Sequence, residues 1–222
     1  AAGKGDTDVM DGGDGTGDVL KLSTGKHTFA DDTKFKNIEK IETNASGSEV
    51  VLTAQKEALE ITGGDGVDKI TGGEGVDTIN AGKGDDEITI AAAGKGDTDV
   101  MDGGDGTGDV LKLSTGKHTF ADDTKLKGIE KIETDASGSE VILTAQKEAL
   151  EITGGDGVDK ITGGEGVDTI NAGKGDDEIT VAAAGKGDTD VMDGGDGTGD
   201  VLKLSTGKHT FADDTKLKGI EK

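Results

Sequence analysis

Between Gly63 and Thr89 the chain reads GGDGVDKIT, GGEGVDTIN and AGKGDDEIT, three nine-residue units laid end to end. Each unit has a glycine-rich half closing on a carboxylate (Asp68, Asp77, Asp86), then a strand-like half around one large apolar residue (Ile70, Ile79, Ile88). Glycine adopts backbone angles that side chains forbid, so the first half reads as a tight turn. One inward isoleucine per nine residues makes no core alone; it must stack on the isoleucine of a neighbouring unit. The same stacking brings one aspartate per unit into register with its counterpart a coil away. Stacked carboxylates repel unless a cation lies between them. The units therefore imply a solenoid together with its metal.

These residues resemble the RTX (repeats-in-toxin) family, whose nonapeptide is G-G-x-G-x-D-x-U-x with U apolar. Gly63–Thr71 and Gly72–Asn80 match at every defined position, and Ala81–Thr89 departs only in its first residue. The resemblance implies an all-β fold, a right-handed parallel β-roll with two nonapeptides per coil and calcium in the turns between coils. Units 18 residues apart then share a corner, with Asp68 over Asp86 and Asp86 over the turn carrying Asp109. On the opposite corner Asp77 lies over the turn carrying Asp97 and Asp99. Carbonyls from the turns of Gly64, Gly66, Gly73, Gly75, Gly82 and Gly84 join these carboxylates. Calcium takes about six to eight hard oxygen ligands, which two aspartates and the turn carbonyls supply; magnesium, with its strict octahedral geometry, fits less well. The second cluster repeats the set with Asp159, Asp168, Asp177, Asp190 and Asp200 and with Gly155, Gly157, Gly164, Gly166, Gly173 and Gly175. On the family's two-unit coil each full cluster holds about three ions.

Composition points the same way. With 2% aromatic residues, 41 glycines, no proline or cysteine and a net charge of −23, the chain should stay largely disordered unless its charge is offset. A divalent cation at each turn does that, so folding is expected to depend on metal. Such acidity argues against nucleic-acid partners and anionic membrane surfaces. No apolar run of about 18 residues is present to insert into a membrane.

A longer repeat contains the first. AAGKGDTDVMDGGDGTGDVLKLSTGKHTF begins at Ala1, Ala92 and Ala183, a period of 91 residues. The first two copies differ at five positions: Phe35/Leu126, Asn37/Gly128, Asn44/Asp135, Val51/Ile142 and Ile90/Val181. Near-identity of this kind suits a fibre or spacer better than a pocket built from unlike parts, and the chain reads as an excerpt from a longer array.

Residues 1–22 hold two irregular units, Ala2–Met10 and Gly12–Leu20, each with one extra residue before the aspartate that precedes the apolar position. Asp8 and Asp18 are the candidate ligands there, with Asp6 and Asp97 as fallbacks and Met10 and Leu20 pointing inward. Segment 23–62 is read as linking coils of the same solenoid with looser turns and no regular metal site. Its strands are expected within DVLKL, HTFA, NIEKIET, EVVLTA and ALEIT, with a one-turn helix at Thr53–Leu59. The competing reading is a small inserted subdomain with a helix capped at Asp31-Asp32-Thr33. Clusters then fall at 63–113 and 154–204, with linking coils at 114–153 and 205–222.

Other residues read more plainly. Asp65, Glu74, Asp156 and Glu165 occupy the variable third position as solvated side chains, and Lys4, Lys83 and Lys95 trim local negative charge. His27, His118 and His209 are expected at solvent-facing strand ends, and Met10, Met101 and Met192 in the core. Phosphate-loop, HExxH, EF-hand and triad patterns are all missing from the sequence, so no enzyme is read here. The expected role is structural: the calcium-stabilised shaft of a secreted adhesin, surface-layer or filament protein. The resemblance implies that such a chain leaves the cell unfolded by type I secretion and folds in extracellular calcium. The alternative is the calcium-binding region of a type I-secreted toxin or enzyme. Ice binding is a weaker reading, since Thr71, Thr78 and Thr89 form no regular array. The expected partners are calcium ions and copies of the chain itself, end to end or side by side.

Overall fold

A three-residue strand between two glycine turns has backbone donors and acceptors on both edges, and only the same strand of the next coil can satisfy them in register. This governs the computed structural model, which describes residues 8–91, 98–182, 189–211 and 214–222. Two compact units are present: Ala1–Ala91 with Thr98–Leu111 and Lys127–Ile129, and Ala92–Asp97 with Lys112–Leu126 and Glu130–Lys222. Strands are numbered β1–β23 along the chain.

In the first unit one sheet stacks β3 (Gly25–Thr28), β6 (Ser48–Val51), β8 (Lys69–Thr71) and β10 (Glu87–Ile90). The facing sheet stacks β2 (Val19–Lys21), β5 (Lys40–Glu42), β7 (Glu60–Thr62), β9 (Thr78–Asn80) and β11 (Val100–Asp102). A short pair, β1 (Met10–Asp11) with β4 (Phe35–Lys36), completes it. In the second unit β13 (Gly116–Thr119), β16 (Ser139–Ile142), β18 (Lys160–Thr162), β20 (Glu178–Val181) and β22 (Val201–Leu204) form one sheet. The other holds β15 (Lys131–Thr134), β17 (Glu151–Thr153), β19 (Thr169–Asn171), β21 (Val191–Asp193) and β23 (Leu217–Lys218). All these pairings are parallel, so each unit is an all-β parallel solenoid. Strands β12 (Val110–Leu113) and β14 (Leu126–Lys127) carry residues of both units.

Side chains alternate in and out along each strand, and the inward rows make the core. Ile41, Ile61, Ile79 and Met101 stack in one row and Val50, Ile70 and Ile88 in the other, each at most 2% exposed. Outside, Lys26, Glu49, Lys69 and Glu87 stand opposite one another in alternating charge. The exposed pairs Lys26–Glu49 at 2.6 Å and Lys69–Glu87 at 3.6 Å contribute about 0–1 kcal/mol each. Their use lies in register, because a one-coil slip would set like charges together.

The linking segment is a continuation of the solenoid, carrying β3 through β7. The expected helix at Thr53–Leu59 does not form. Thr53 and Ala54 make a turn, Gln55 N–H donates to Leu52 O, and Gln55 O accepts from Glu74 of the next coil. Committed backbone of this kind overrides the helix preference of Ala, Gln, Lys and Glu. No helix runs through Ile38–Ile41 either, since Lys40–Glu42 is β5; the only helical turn among the described residues is the 3-10 turn Asp214–Lys216. The histidines need a second correction. His27 and His118 point into the core, 4% and 0% exposed, because Lys26 and Lys117 take the outward position beside them. Each ring Nε2 is bonded to a backbone carbonyl, Ser23 O or Ser114 O, at 2.8 Å.

Coil length is not constant. Pairs of stacked residues lie 18 positions apart at Asp68 and Asp86, 20 at Ser48 and Asp68, 22 at Asp77 and Asp99, and 23 at Lys26 and Glu49. Strands keep register while turns absorb the difference.

Candidate metal sites in the glycine turns

Each aspartate that closes a glycine half turns back into the coil and clamps the coil before it. In the first unit Ser48 N–H donates to Asp68 Oδ1 at 2.8 Å, Asp68 N–H to Asp86 Oδ1 at 2.7 Å, and Asp86 N–H to Asp109 Oδ1 at 2.7 Å. On the opposite corner Leu59 N–H donates to Asp77 Oδ1 and Asp77 N–H to Asp99 Oδ1, both at 3.1 Å. The second unit repeats the pattern: Asp159 N–H to Asp177 Oδ1 and Asp177 N–H to Asp200 Oδ1 at 2.7 Å, and Asp168 N–H to Asp190 Oδ1 at 3.2 Å. The expected stacking of Asp68 on Asp86, of Asp86 on the Asp109 turn and of Asp77 on the Asp99 turn is therefore what the structure contains. Asp97 lies outside the described residues. Asp8 is exposed and Asp18 half-buried, whereas Asp99 and Asp190 are 4% exposed.

The glycines belong where backbones nearly touch. A Cβ on Gly82, whose φ is +104°, would lie 2.3 Å from Gly64 O, and one on Gly104 would lie 2.1 Å from Gly82 O. Only glycine lets these turns stack so closely. Lys83 N–H donates to Gly64 O at 2.8 Å and Asp105 N–H to Gly82 O at 2.7 Å, which leaves each carbonyl a second lone pair. Gly66, Gly73 and Gly75 are likewise packed against the backbone of adjoining turns, as are Gly155, Gly157, Gly164, Gly166, Gly173 and Gly175 in the second unit; a Cβ on Gly84 would lie 2.9 Å from Gly66 O. Asp65, Glu74, Asp156 and Glu165 are exposed as expected, and Lys83 pairs with Asp65 at 3.2 Å, as Lys174 does with Asp156 at 3.0 Å.

The carboxylates are buried with an excess of negative charge. Asp68, Asp77 and Asp86 are at most 1% exposed, as are Asp159, Asp168 and Asp177. Asp86 Oδ2 and Asp177 Oδ2 are buried with no hydrogen-bond partner among the described residues. Burial first, then the charges of Asp109, Asp68 and Asp85, pushes the Asp86 carboxyl up to about 6 against the pull of the Asp68 N–H. Burial, with Asp159, Asp200 and Asp176 behind it, raises Asp177 to about 6 as well. Burial also raises Asp159. An orphaned carboxylate oxygen in a glycine cradle fits a hard cation well. Among the described residues no three His, Cys, Asp or Glu side chains converge on one point, so a cation here would complete its shell from turn carbonyls.

One functional row escaped the sequence reading. Glu39 N–H donates to Asp18 O, and Glu39 Oε2 accepts the Asp18 N–H at 2.9 Å, as Glu221 Oε2 accepts that of Asp200 at 2.9 Å. Glu39-Lys40-Ile41 mirrors Asp68-Lys69-Ile70 in sequence, which is the signal that would have found it.

A parallel solenoid whose glycine turns stack buried, unneutralised aspartates defines a class of metal-binding repeat protein. The RTX calcium-binding nonapeptide repeat matches residues 60–89 and 151–181, in four copies, so these residues are RTX repeats. A search of curated proteins and a search of solved structures each found no match.

Proposed function

We propose that this chain is a structural calcium-binding array, the shaft of a secreted extracellular adhesin, surface-layer or filament protein. The observation that carries the calcium reading is Asp86: buried, raised to about 6, one oxygen without a hydrogen-bond partner among the described residues, and stacked between Asp68 and Asp109. Asp68, Asp77, Asp86, Asp99 and Asp109 would hold the ions of the first cluster, and Asp159, Asp168, Asp177, Asp190 and Asp200 those of the second. Carbonyls of Gly64, Gly66, Gly73, Gly75, Gly82 and Gly84 would join the first set, with those of Gly155, Gly157, Gly164, Gly166, Gly173 and Gly175 in the other. Bound calcium would supply the positive charge that these rows lack. The chain's own part is to aim the carboxylates and to hold the turns at stacking distance.

Proteins of this family are generally secreted and bind calcium outside the cell. No helix among the described residues is long and apolar enough to cross a membrane. The near-identity of the 91-residue copies favours a shaft, with like chains as its lateral or end-on partners. A calcium-binding region of a secreted toxin or enzyme uses the same turns, and the sequence flanking this stretch separates the two. Isothermal titration tests the metal assignment. Several calcium ions per chain, with magnesium failing to compete at equal concentration, is the expected result; no calcium heat at millimolar ion would sink it.

A further inference from the structure

The carboxylate rows do not stop where the nonapeptides stop. Asp18, Glu39, Leu59, Asp77 and Asp99 each immediately precede a strand of one sheet in the first unit, so they share a corner. Glu39 holds the Asp18 N–H at 2.9 Å, as Asp99 holds the Asp77 N–H at 3.1 Å. In the second unit Glu221 does the same for Asp200 at 2.9 Å, in the row that contains Asp159 and Asp177. A glutamate from a linking coil thus takes the position of a nonapeptide aspartate.

A second observation points to a ligand. Asp18 Oδ2 and Asp200 Oδ2 are buried with no hydrogen-bond partner among the described residues, and Asp200 is 0% exposed. Both oxygens look into their own glycine turn: a Cβ on Gly197 would lie 2.6 Å from Asp200 Oδ2, and one on Gly15 would lie 2.8 Å from Asp18 Oδ2. Of the lysines on the adjoining strands, Lys21 pairs with Glu42 at 2.9 Å, Lys40 with Glu60 at 2.7 Å and Lys203 with Glu178 at 2.6 Å. Each of these two corners therefore holds two carboxylates around one backbone N–H. We propose that Glu39 and Glu221 complete additional calcium sites with Asp18 and Asp200, outside the matched nonapeptides. This rests on the calcium reading of the regular turns and extends it into coils where the family pattern places no ion.

The test is the E39Q/E221Q variant. Glutamine keeps an acceptor oxygen for the N–H below and removes only the charge. Titration calorimetry should show fewer bound calcium ions, one lost for each substituted glutamate, with an unchanged circular dichroism spectrum at saturating calcium. E60Q, which removes an exposed charge of the same row of strands, should keep the full number. An unchanged count in the double variant, or an equal loss in E60Q, overturns the proposal while leaving the regular sites standing. A wild-type chain that binds no calcium overturns both readings.

Discussion

Asp86 Oδ1 accepts the backbone N–H of Asp68 at 2.7 Å, 18 residues away and one coil below. A single carboxyl group therefore has one oxygen that ties neighbouring coils together and another that is buried with no hydrogen-bond partner among the described residues. The clamp is strongest when the group is ionised. Ionisation is also what the burial and the stacked charges oppose. On the proposed calcium reading, metal binding would relieve that conflict, and folding and cation binding would be one equilibrium.

Asp86→Asn leaves an acceptor for the Asp68 N–H but removes the charge. The calcium midpoint of folding should rise by at least about tenfold, the scale on which altered metal environments lose affinity. Circular dichroism followed against free calcium measures this. A midpoint unmoved from wild type would show that Asp86 is a clamp and no ligand.

Two glycines with similar backbone angles separate strain from crowding. Gly13 has φ +88° and nothing near its missing Cβ, whereas Gly82 has φ +104° and Gly64 O at 2.3 Å from that position. Gly13→Ala should cost about 1–2 kcal/mol, from backbone angle alone. Gly82→Ala should cost roughly 2–5 kcal/mol, because the stacked turn must also move. Denaturant unfolding in saturating calcium gives both values, and equal losses would contradict the stacking geometry.

The metal-free chain should respond to acid in an unusual direction. Asp86 and Asp177 titrate near 6 in the folded state against 3.8 as the ordinary value, and Asp159 is raised too, in each case chiefly by burial. The folded form then binds more protons than the unfolded form between about pH 4 and 6, so stability falls as pH rises through that window. His118, lowered by its burial from 6.5, opposes this as pH falls below that value. Asp11, Asp31 and Asp135, lowered by hydrogen bonds, oppose it only near and below the ordinary value of 3.8, so between pH 7 and 5 the raised aspartates leave acid favouring the fold. In chelator, β-structure should grow as pH drops from 7 to 5; a decrease would contradict the buried-carboxylate account.

Much of this was legible in the chain. The nonapeptides announce turn, strand and stacking partner within nine residues, because glycine, aspartate and isoleucine each have one physical role there. The linking coils were harder. Their turns vary in length, so coils of 20, 22 and 23 residues hide the alternation that 18-residue coils display. That variation concealed Glu39, whose place depends on β5 falling in register with β2 and β7. His27 turns inward because Lys26 takes the outward position beside it, where strand-end polarity suggested solvent. Thr53–Leu59 shows the reverse case, in which good local helix formers yield to Gln55 binding the next coil.

Far-ultraviolet circular dichroism of this chain, first in excess chelator and then with calcium added to millimolar concentration, tests the central claim most directly. The account predicts a cooperative change from a disordered spectrum to a β-rich one at neutral pH, with magnesium unable to replace calcium. A chain already β-rich in chelator, and unchanged by calcium, would mean that the apolar rows of the linking coils hold the solenoid without metal.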